Sequence, residues 1–285
     1  MLIEDVYIYR NFQLMICFPN AKINIGLNIT GRRRDGFHNI ETVLFPIELC
    51  DVLEFVEKDN KDNCKLNCSG LELKDTADNN LCIRAYKLLK KDYDLPGIII
   101  HLHKIIPIGS GLGGGSSNGA YMLKSLNNEF HLNISNKKLQ EYAEQLGSDC
   151  PFFISNKPAF SYETGNKFRE VDFALEGNYL VIVYPNIQIS TRQAYSKAFI
   201  KQPEASLENL IQLPVNEWKN SIRNDFESTI FPKYPDLKNI KKELYEMGAI
   251  YASLSGSGSS LYGIFSSLPE IPKKFKNYFI RQYKI

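Results

Sequence analysis

Short apolar runs with a two-residue period alternate along this chain with longer runs whose apolar positions recur every three to four residues, a pattern that predicts strands and helices in succession. Residues 14 to 29 read as one extended run with Pro19-Asn-Ala-Lys-Ile-Asn24 in its middle. A proline inside such a run predicts an edge or a bulge, where side chains are re-aimed. A turn at Gly31-Arg-Arg-Arg-Asp-Gly36 leads into a second extended run from Ile40 to Val56. A polar turn over 59–63 and a short strand over Lys65–Cys68 follow. A helix is predicted over Asn80–Tyr93, with Leu81, Ala85, Leu88 and Leu89 on one face. The apolar run Gly97–Ile106 reads as a strand, Asn118–Leu126 as a helix, and Ser135 as the N-cap of a helix that reaches Leu146 and stops at Gly147.

Beyond Pro158 the pattern restarts with extended runs at Ala159–Tyr162 and Tyr179–Tyr184. Helical stretches follow at Thr191–Ile200, Val215–Phe226 and Leu237–Met247, then two strand-like runs joined by a Gly/Ser loop within Ala252–Phe265. There is no internal repeat. The alternation predicts an α+β protein of two lobes, residues 1–160 and 161–285, with a site in the cleft between them.

Composition narrows the class of function without naming it. With 285 residues, 44% hydrophobic and 23% charged, the chain has the make-up of a globular protein with a substantial core. The 34 basic and 32 acidic residues leave a net charge of only +2, so bulk attraction to nucleic acid or to an anionic membrane is not indicated. Glu4, Asp5 and Arg10 interrupt the apolar N-terminal stretch, which argues against a signal peptide or membrane span and for a cytoplasmic protein. The six cysteines are too dilute for a disulfide scaffold and read as reduced structural thiols. His101 and His103 lie two apart on a strand and face one side, but a metal there needs further ligands.

Chemistry enters with Pro107-Ile-Gly-Ser-Gly-Leu-Gly-Gly-Gly-Ser-Ser117, placed between a strand and a helix. Glycines turn tightly and bring backbone N–H groups close to a ligand, and the following helix contributes unpaired donors and the positive end of its dipole. That is a phosphate cradle, without the lysine that ends a Walker A loop. The alternative, a flexible linker, sits poorly between two apolar, ordered-looking elements. Ser148-Asp149-Cys150-Pro151 follows a helix end, where an aspartate is either a turn-former or a group projecting from a buried turn. The three arginines of the 31–36 turn are either a solvated turn or a phosphate clamp. Lys22 on a strand, the cradle and Asp149 find a common use in phosphoryl transfer from a nucleoside triphosphate to an alcohol. The cradle would position the triphosphate, the aspartate accept the hydroxyl proton, and the lysine orient the aspartate and offset negative charge.

Three segments, Pro107-x3-Gly-Leu-Gly-Gly-Gly-Ser-Ser117, Pro19-Asn-Ala-Lys-Ile-Asn-Ile-Gly-Leu27 and Leu254-Ser-Gly-Ser-Gly-Ser-Ser-Leu-Tyr262, resemble the signature motifs of the galactokinase, homoserine kinase, mevalonate kinase and phosphomevalonate kinase superfamily (GHMP kinases). Lys22-Ile-Asn24, Thr30-Gly-Arg-Arg-Arg-Asp-Gly-Phe-His38 and Leu146-Gly-Ser-Asp-Cys-Pro-Phe152 resemble the branch that phosphorylates the 2-hydroxyl of a cytidine-diphosphate methylerythritol. The resemblance implies a two-lobed fold with Lys22 and Asp149 as the catalytic pair. It implies ATP bound by Pro107, Ile108, Gly109, Ser110, Gly111, Leu112, Gly113, Gly114, Gly115, Ser116 and Ser117, with Mg²⁺ accompanying the ATP and no protein ligand for it identified. Asn24, His38 and Thr191 fall at substrate positions, and Phe37 and Tyr195 at the aromatic clamp on the cytosine. The implied partner is a small-molecule substrate, and the implied assembly a monomer or weak homodimer. The chain departs from the pattern at Phe37 (usually tyrosine), Ser148 (usually alanine) and Cys150 (a small aliphatic residue), and in an N-terminal extension. Phe37 keeps a stacking face and loses a hydroxyl; the other changes do not touch the implied chemistry.

Overall fold

A computed structural model describes residues 15–58, 64–72, 79–173, 175–195, 200 and 202–285. Two breaks early in the chain set the architecture. The first extended run is split at Phe18-Pro19 into β1 (Met15–Cys17) and β2 (Asn20–Arg32), and the second at Asp51 into β3 (His38–Cys50) and β4 (Val52–Lys58). β1 pairs with β4 in one sheet, while β2 pairs with β3 in another, so one long hairpin supplies two sheets. Proline cannot donate to a ladder, which ends the first sheet's pairing at that point. The backbone N–H of Asp51 donates to the carbonyl of Pro19 at 2.9 Å, closing the crossing.

β5 (Cys64–Gly70) joins β6 (Gly97–Lys104) as the parallel edge of the first sheet, whose order is β1-β4-β6-β5. Helices α1 (Leu81–Lys90), α2 (Gly114–Glu129), α3 (Asn136–Leu146) and α4 (Cys150–Ser155) cover one face of it. Leu53, Phe55, Ile100 and Leu102 of the sheet pack there with Leu89, Leu123, Leu126 and Phe153 of the helices. The predicted caps are present: the Asn80 side chain accepts from the N–H of Cys82, and Ser135 from that of Lys138. β7 (Ala159–Tyr162) and β8 (Lys167–Glu170) extend the second sheet to β2-β3-β7-β8.

A third, antiparallel sheet has the order β10-β11-β9-β12, from β9 (Tyr179–Tyr184), β10 (Tyr251–Leu254), β11 (Leu261–Phe265) and β12 (Phe279–Lys284). Between β9 and β10 lie α5 (Thr191–Tyr195), α6 (Leu207–Leu210), α7 (Val215–Ser221), α8 (Phe226–Ile230) and α9 (Pro235–Glu246). The single helix expected over Val215–Phe226 is two. Between them Leu27 donates its N–H to the carbonyl of Arg223 at 2.9 Å and accepts from Asp225 at 2.8 Å, so strand-like pairing with β2 replaces helical bonds. Residues 196–199, the end of the helix expected over Thr191–Ile200, lie outside the described residues.

β2 is irregular beside the proline, where the register shifts between Asn20 and Ala21, and again at Gly26. Ala21, Ile23 and Ile25 point into one core, packed with Val43 and Leu112, whereas Leu27 and Ile29 point into another, packed with Phe226 and Leu254. All five positions are odd, so an undisturbed strand would place them on one face. A register shift between Ile25 and Leu27 inserts the extra residue that reverses the phase. Gly26 takes φ +67°, and a Cβ there would lie 2.6 Å from Ile222 Cγ2 and 2.8 Å from Leu207 Cδ1. Gly26→Ala combines a left-handed residue with an overpacked site, so a loss of about 2–5 kcal/mol in unfolding free energy is expected. A urea titration checks this, with a lowered midpoint at unchanged slope as the expected outcome.

Candidate active site

The glycine-rich loop is shaped by close contacts that no side chain would permit. At Gly111, φ +82°, a Cβ would lie 2.1 Å from the carbonyl oxygen of Ser255, because the Gly/Ser loop between β10 and β11 packs against it. Ser255 Oγ donates to the Gly111 carbonyl at 2.9 Å, and the Ser260 N–H to the Ser110 carbonyl at 3.0 Å. Gly113, φ +72°, is the N-cap of α2, and a Cβ there would stand 3.0 Å from both Lys22 Cε and Phe153 Cζ. The first turn of α2 carries no acidic side chain to compete for its N–H groups, which leaves that end of the helix suited to an anion. Leu112 does not line the cleft. It is fully buried, and its carbonyl accepts the backbone N–H of Lys22 at 2.9 Å, which anchors the loop to β2.

A cleft of about 1000 Å³ opens beside the loop, lined by Pro107–Gly111 and Gly113–Ser116 together with Lys22, Asn24, Asp149, Tyr195, Phe226 and Gly256. Lys22 occupies its floor. Its ammonium lies 3.5 Å from Asp149 Oδ2 and donates to the carbonyl of Gly111 at 3.0 Å and to Asn24 Oδ1. Asn24 is held in turn: its amide donates to Thr42 Oγ1 at 3.0 Å, its backbone N–H to Ser255 Oγ at 3.2 Å, and its carbonyl accepts from Tyr262 OH at 2.9 Å. Asp149 is the N-cap of α4, yet its side chain makes no capping bond and its carboxylate is free to face Lys22. Burial pushes the Lys22 ammonium below its ordinary pKa, and Asp149 beside it pulls the other way.

The structure therefore brings Lys22, Asn24, the loop and Asp149 to one cleft. Phe37 stands apart from this centre, 66% exposed, at the tip of the β2–β3 turn. His38 stacks on Tyr195 with ring centroids 4.8 Å apart and planes 17° from parallel, and Tyr195 meets Phe226 edge-on at 4.8 Å. Burial, with Asp149 adding, pushes the Tyr195 phenol up to about 12. Thr191 begins α5, and its side chain lies outside what the structure describes. Ser117 is buried under the loop rather than in the cleft. The three arginines sit in a solvated turn in which Arg33 pairs with Asp35 at 3.0 Å, and none of them lines the cleft. The described cysteines are unpaired.

Sequence reasoning missed a second buried lysine. Lys104, at the end of β6, donates to Asp51 Oδ2 and to Asn118 Oδ1 at 3.1 Å, and the Asn118 amide donates to Asp51 Oδ2 at 2.8 Å. The other Asp51 oxygen accepts the N–H groups of Ile105 at 2.7 Å and Ile106 at 2.9 Å, so one fully buried carboxylate fixes the entry to the loop. Charged residues at the ends of two apolar runs were the available signal. Asn224, which donates to the carbonyls of Leu254 and Gly256 at 2.9 Å each, had none.

Two family models match the chain: "GHMP kinases N terminal domain" over residues 80–157 and "GHMP kinases C terminal" over 206–281. The chain belongs to the GHMP kinases. They are ATP-dependent small-molecule kinases, so ATP is the co-substrate of this enzyme. Within the family the chain is similar to the 4-diphosphocytidyl-2-C-methyl-D-erythritol kinase of Bacteroides fragilis, 52% identical over 260 residues that span 91% of this chain and 95% of the relative. The kinase of the same name from Cytophaga hutchinsonii is 41% identical, over 90% and 94%. A crystal structure of 4-(cytidine 5'-diphospho)-2C-methyl-D-erythritol kinase superposes with a TM-score of 0.75 at 27% identity, covering 88% of this chain and 90% of that one. Mevalonate kinase from Methanococcus jannaschii, at 17% identity and TM-score 0.64 over 94% and 97% of the chains, shares the fold.

The buried ammonium of Lys22 has a stability consequence. Because its folded pKa lies below its unfolded value, the unfolded chain binds more protons between the two, and stability rises with pH across that window. Below the window the folded state carries the full cost of desolvating the cation. Asp149 is 34% exposed and stays solvated when the lysine is removed. Lys22→Met is therefore expected to lose this rise in stability with pH, along with activity. Urea titrations of parent and variant at neutral and alkaline pH check this, with the same pH dependence in both as the contrary outcome.

Proposed function

We propose that the chain transfers the γ-phosphoryl group of ATP to the 2-hydroxyl of 4-diphosphocytidyl-2-C-methyl-D-erythritol, a step of the non-mevalonate route to isoprenoid precursors. The observation that carries this reading is 52% identity to a kinase of that name across 91% of the chain. It is supported by the Lys22–Asp149 pair beside the glycine-rich loop. In this reading the loop and the start of α2 hold the triphosphate, and Asp149 accepts the proton of the acceptor hydroxyl. Lys22 orients Asp149 and offsets charge on the transferring group, while its bonds to Asn24 and Gly111 leave it no freedom to wander. A Mg²⁺ ion accompanying the ATP would neutralise phosphate charge. Such an ion needs few protein ligands, and the Ser116 hydroxyl, which lines the cleft, would hold it together with phosphate oxygens and water.

At the other end of the substrate, Tyr195 and Phe37 offer ring faces to cytosine, and His38 is the reader of its edge. Burial and the nearby Arg32 hold the His38 imidazole below its ordinary pKa, so near pH 7 it is neutral and offers both a donor and an acceptor. Asn24 and Thr191 complete the substrate contacts. The enzyme acts in the cytoplasm as a monomer or weak homodimer, with no nucleic-acid or membrane partner; among the described residues no helix is long and apolar enough to cross a membrane.

The direct test is ADP release with this substrate against mevalonate and homoserine; comparable turnover on all three would overturn the assignment. Asp149→Asn is expected to keep its ATP affinity and lose about 10²–10⁴-fold in kcat, whereas retention of a tenth or more would reduce Asp149 to a positioning group. Tyr195→Ala and Phe37→Ala are each expected to raise KM for the cytidine substrate by roughly 5- to 150-fold with KM for ATP unchanged. Wild-type enzyme is expected to discriminate against the uridine analogue and His38→Ala to narrow that gap, and equal use of both by the wild type would remove His38 from base reading.

A further inference from the structure

The outer face of the first sheet carries a polar cluster that the kinase chemistry does not use. His101 and His103, two residues apart on β6, project from the same face about 6.6 Å apart along the strand. Both rings turn toward one point: Ser69 Oγ, on the neighbouring edge strand, lies 2.9 Å from His101 Nε2 and 2.8 Å from His103 Nδ1. On the other side His101 Nδ1 lies 2.8 Å from Glu54 Oε1 of β4, its register partner. A carboxylate there takes the Nδ1–H and leaves the Nε2 lone pair aimed at the point where the serine oxygen sits.

We propose that this cluster is a binding site for one late first-row divalent ion, Cu²⁺, Ni²⁺ or Zn²⁺. His101 Nε2 and His103 Nδ1 are its protein nitrogens, and Glu54 orients the first of them. Imidazole nitrogen selects these ions over Mg²⁺, and Cu²⁺ heads the order of affinity. The Glu54–His101 pairing is the carboxylate–histidine arrangement that fixes tautomer and ring orientation at metal sites. Among the described residues no group of three His, Cys, Asp or Glu side chains is placed to hold a metal, so two imidazoles are completed by oxygen: water, or the Ser69 hydroxyl. Glu54 and His101 are partly exposed, at 32% and 40%, and Ser69 and His103 are exposed, so water has access. The thiols of Cys64 and Cys68 take no part, because on β5 they alternate with Ser69 and face the opposite side of the sheet. Occupancy through Ser69 ties the edge strand β5 to β6, next to Cys68–Glu72, which line the cleft.

The test is calorimetric titration of untagged Cys68→Ser protein with Ni²⁺ and with Cu²⁺, together with electron paramagnetic resonance of the Cu²⁺ complex. One tight site with two coupled imidazole nitrogens is expected. His101→Ala and His103→Ala should each abolish that site in the titrated range, and Glu54→Gln, which keeps both imidazoles, should weaken it by about 10- to 100-fold. Ser69→Ala should retain it. Tight binding that survives both histidine substitutions, or no binding by the parent, would overturn the site; full affinity in Glu54→Gln would overturn the orienting role of the carboxylate.

Discussion

An ammonium group held out of water at the foot of the cleft is the constraint on which the rest of this molecule depends. Lys22 is nearly fully buried, and a cation so placed must be hydrogen-bonded on every side or be neutral. Its partners come from three elements, two of them distant in sequence: Asn24 on its own strand, the Gly111 carbonyl of the glycine-rich loop, and Asp149 at the start of α4. Each partner is itself secured. Asn24 is bonded through its side-chain amide and both backbone groups, and the Gly111 carbonyl also accepts from Ser255. Displacing any one element exposes the lysine to a worse environment, so the site's geometry and its electrostatics are enforced by the same bonds.

The Asp51–Lys104–Asn118 cluster plays the complementary role beneath the loop. It lies where the long first hairpin passes from one sheet to the other, and it satisfies the N–H groups of Ile105 and Ile106 that no strand partner reaches. The glycine-rich loop is thus gripped at its start, by Asp51 where it leaves β6, and at its middle, by Lys22 and Ser255. A loop fixed this way holds its N–H groups ready for an anion without paying to organise them on binding, which in the function proposed above would let a chain with no lysine inside its cradle align a triphosphate.

The aromatic group around Tyr195 is built differently. The Tyr195 ring is supported edge-on by Phe226 and covered on one face by His38, whereas Phe37 projects into solvent from a turn. For the proposed function, a rigid reaction centre and a more open recognition edge would divide the labour in a physically sensible way. Phosphoryl transfer is sensitive to misplacement of an ångström, while stacking tolerates variation in the ring's position.

Local chemistry made much of this legible in the amino-acid order alone. The positions of most strands and helices, the caps Asn80 and Ser135, the turn at 31–36 and the glycine-rich cradle follow from periodicity and from residues whose conformational preferences act over a few neighbours. The motifs that resemble the GHMP kinases added Lys22 and Asp149, which periodicity would have left as one buried and one turn residue. What only the tertiary structure decided are the choices made between distant segments. One hairpin divides between two sheets at Pro19 and Asp51, and a bulge at Gly26 sends Leu27 into a different core from Ile25. Residues 223–225 give up helical bonds to pair with β2, and His38 rather than Phe37 lies on Tyr195. In each case the competing local conformations are close in free energy. The selection comes from partners tens to hundreds of residues away, whose burial and hydrogen bonds exist only once the fold has brought them together.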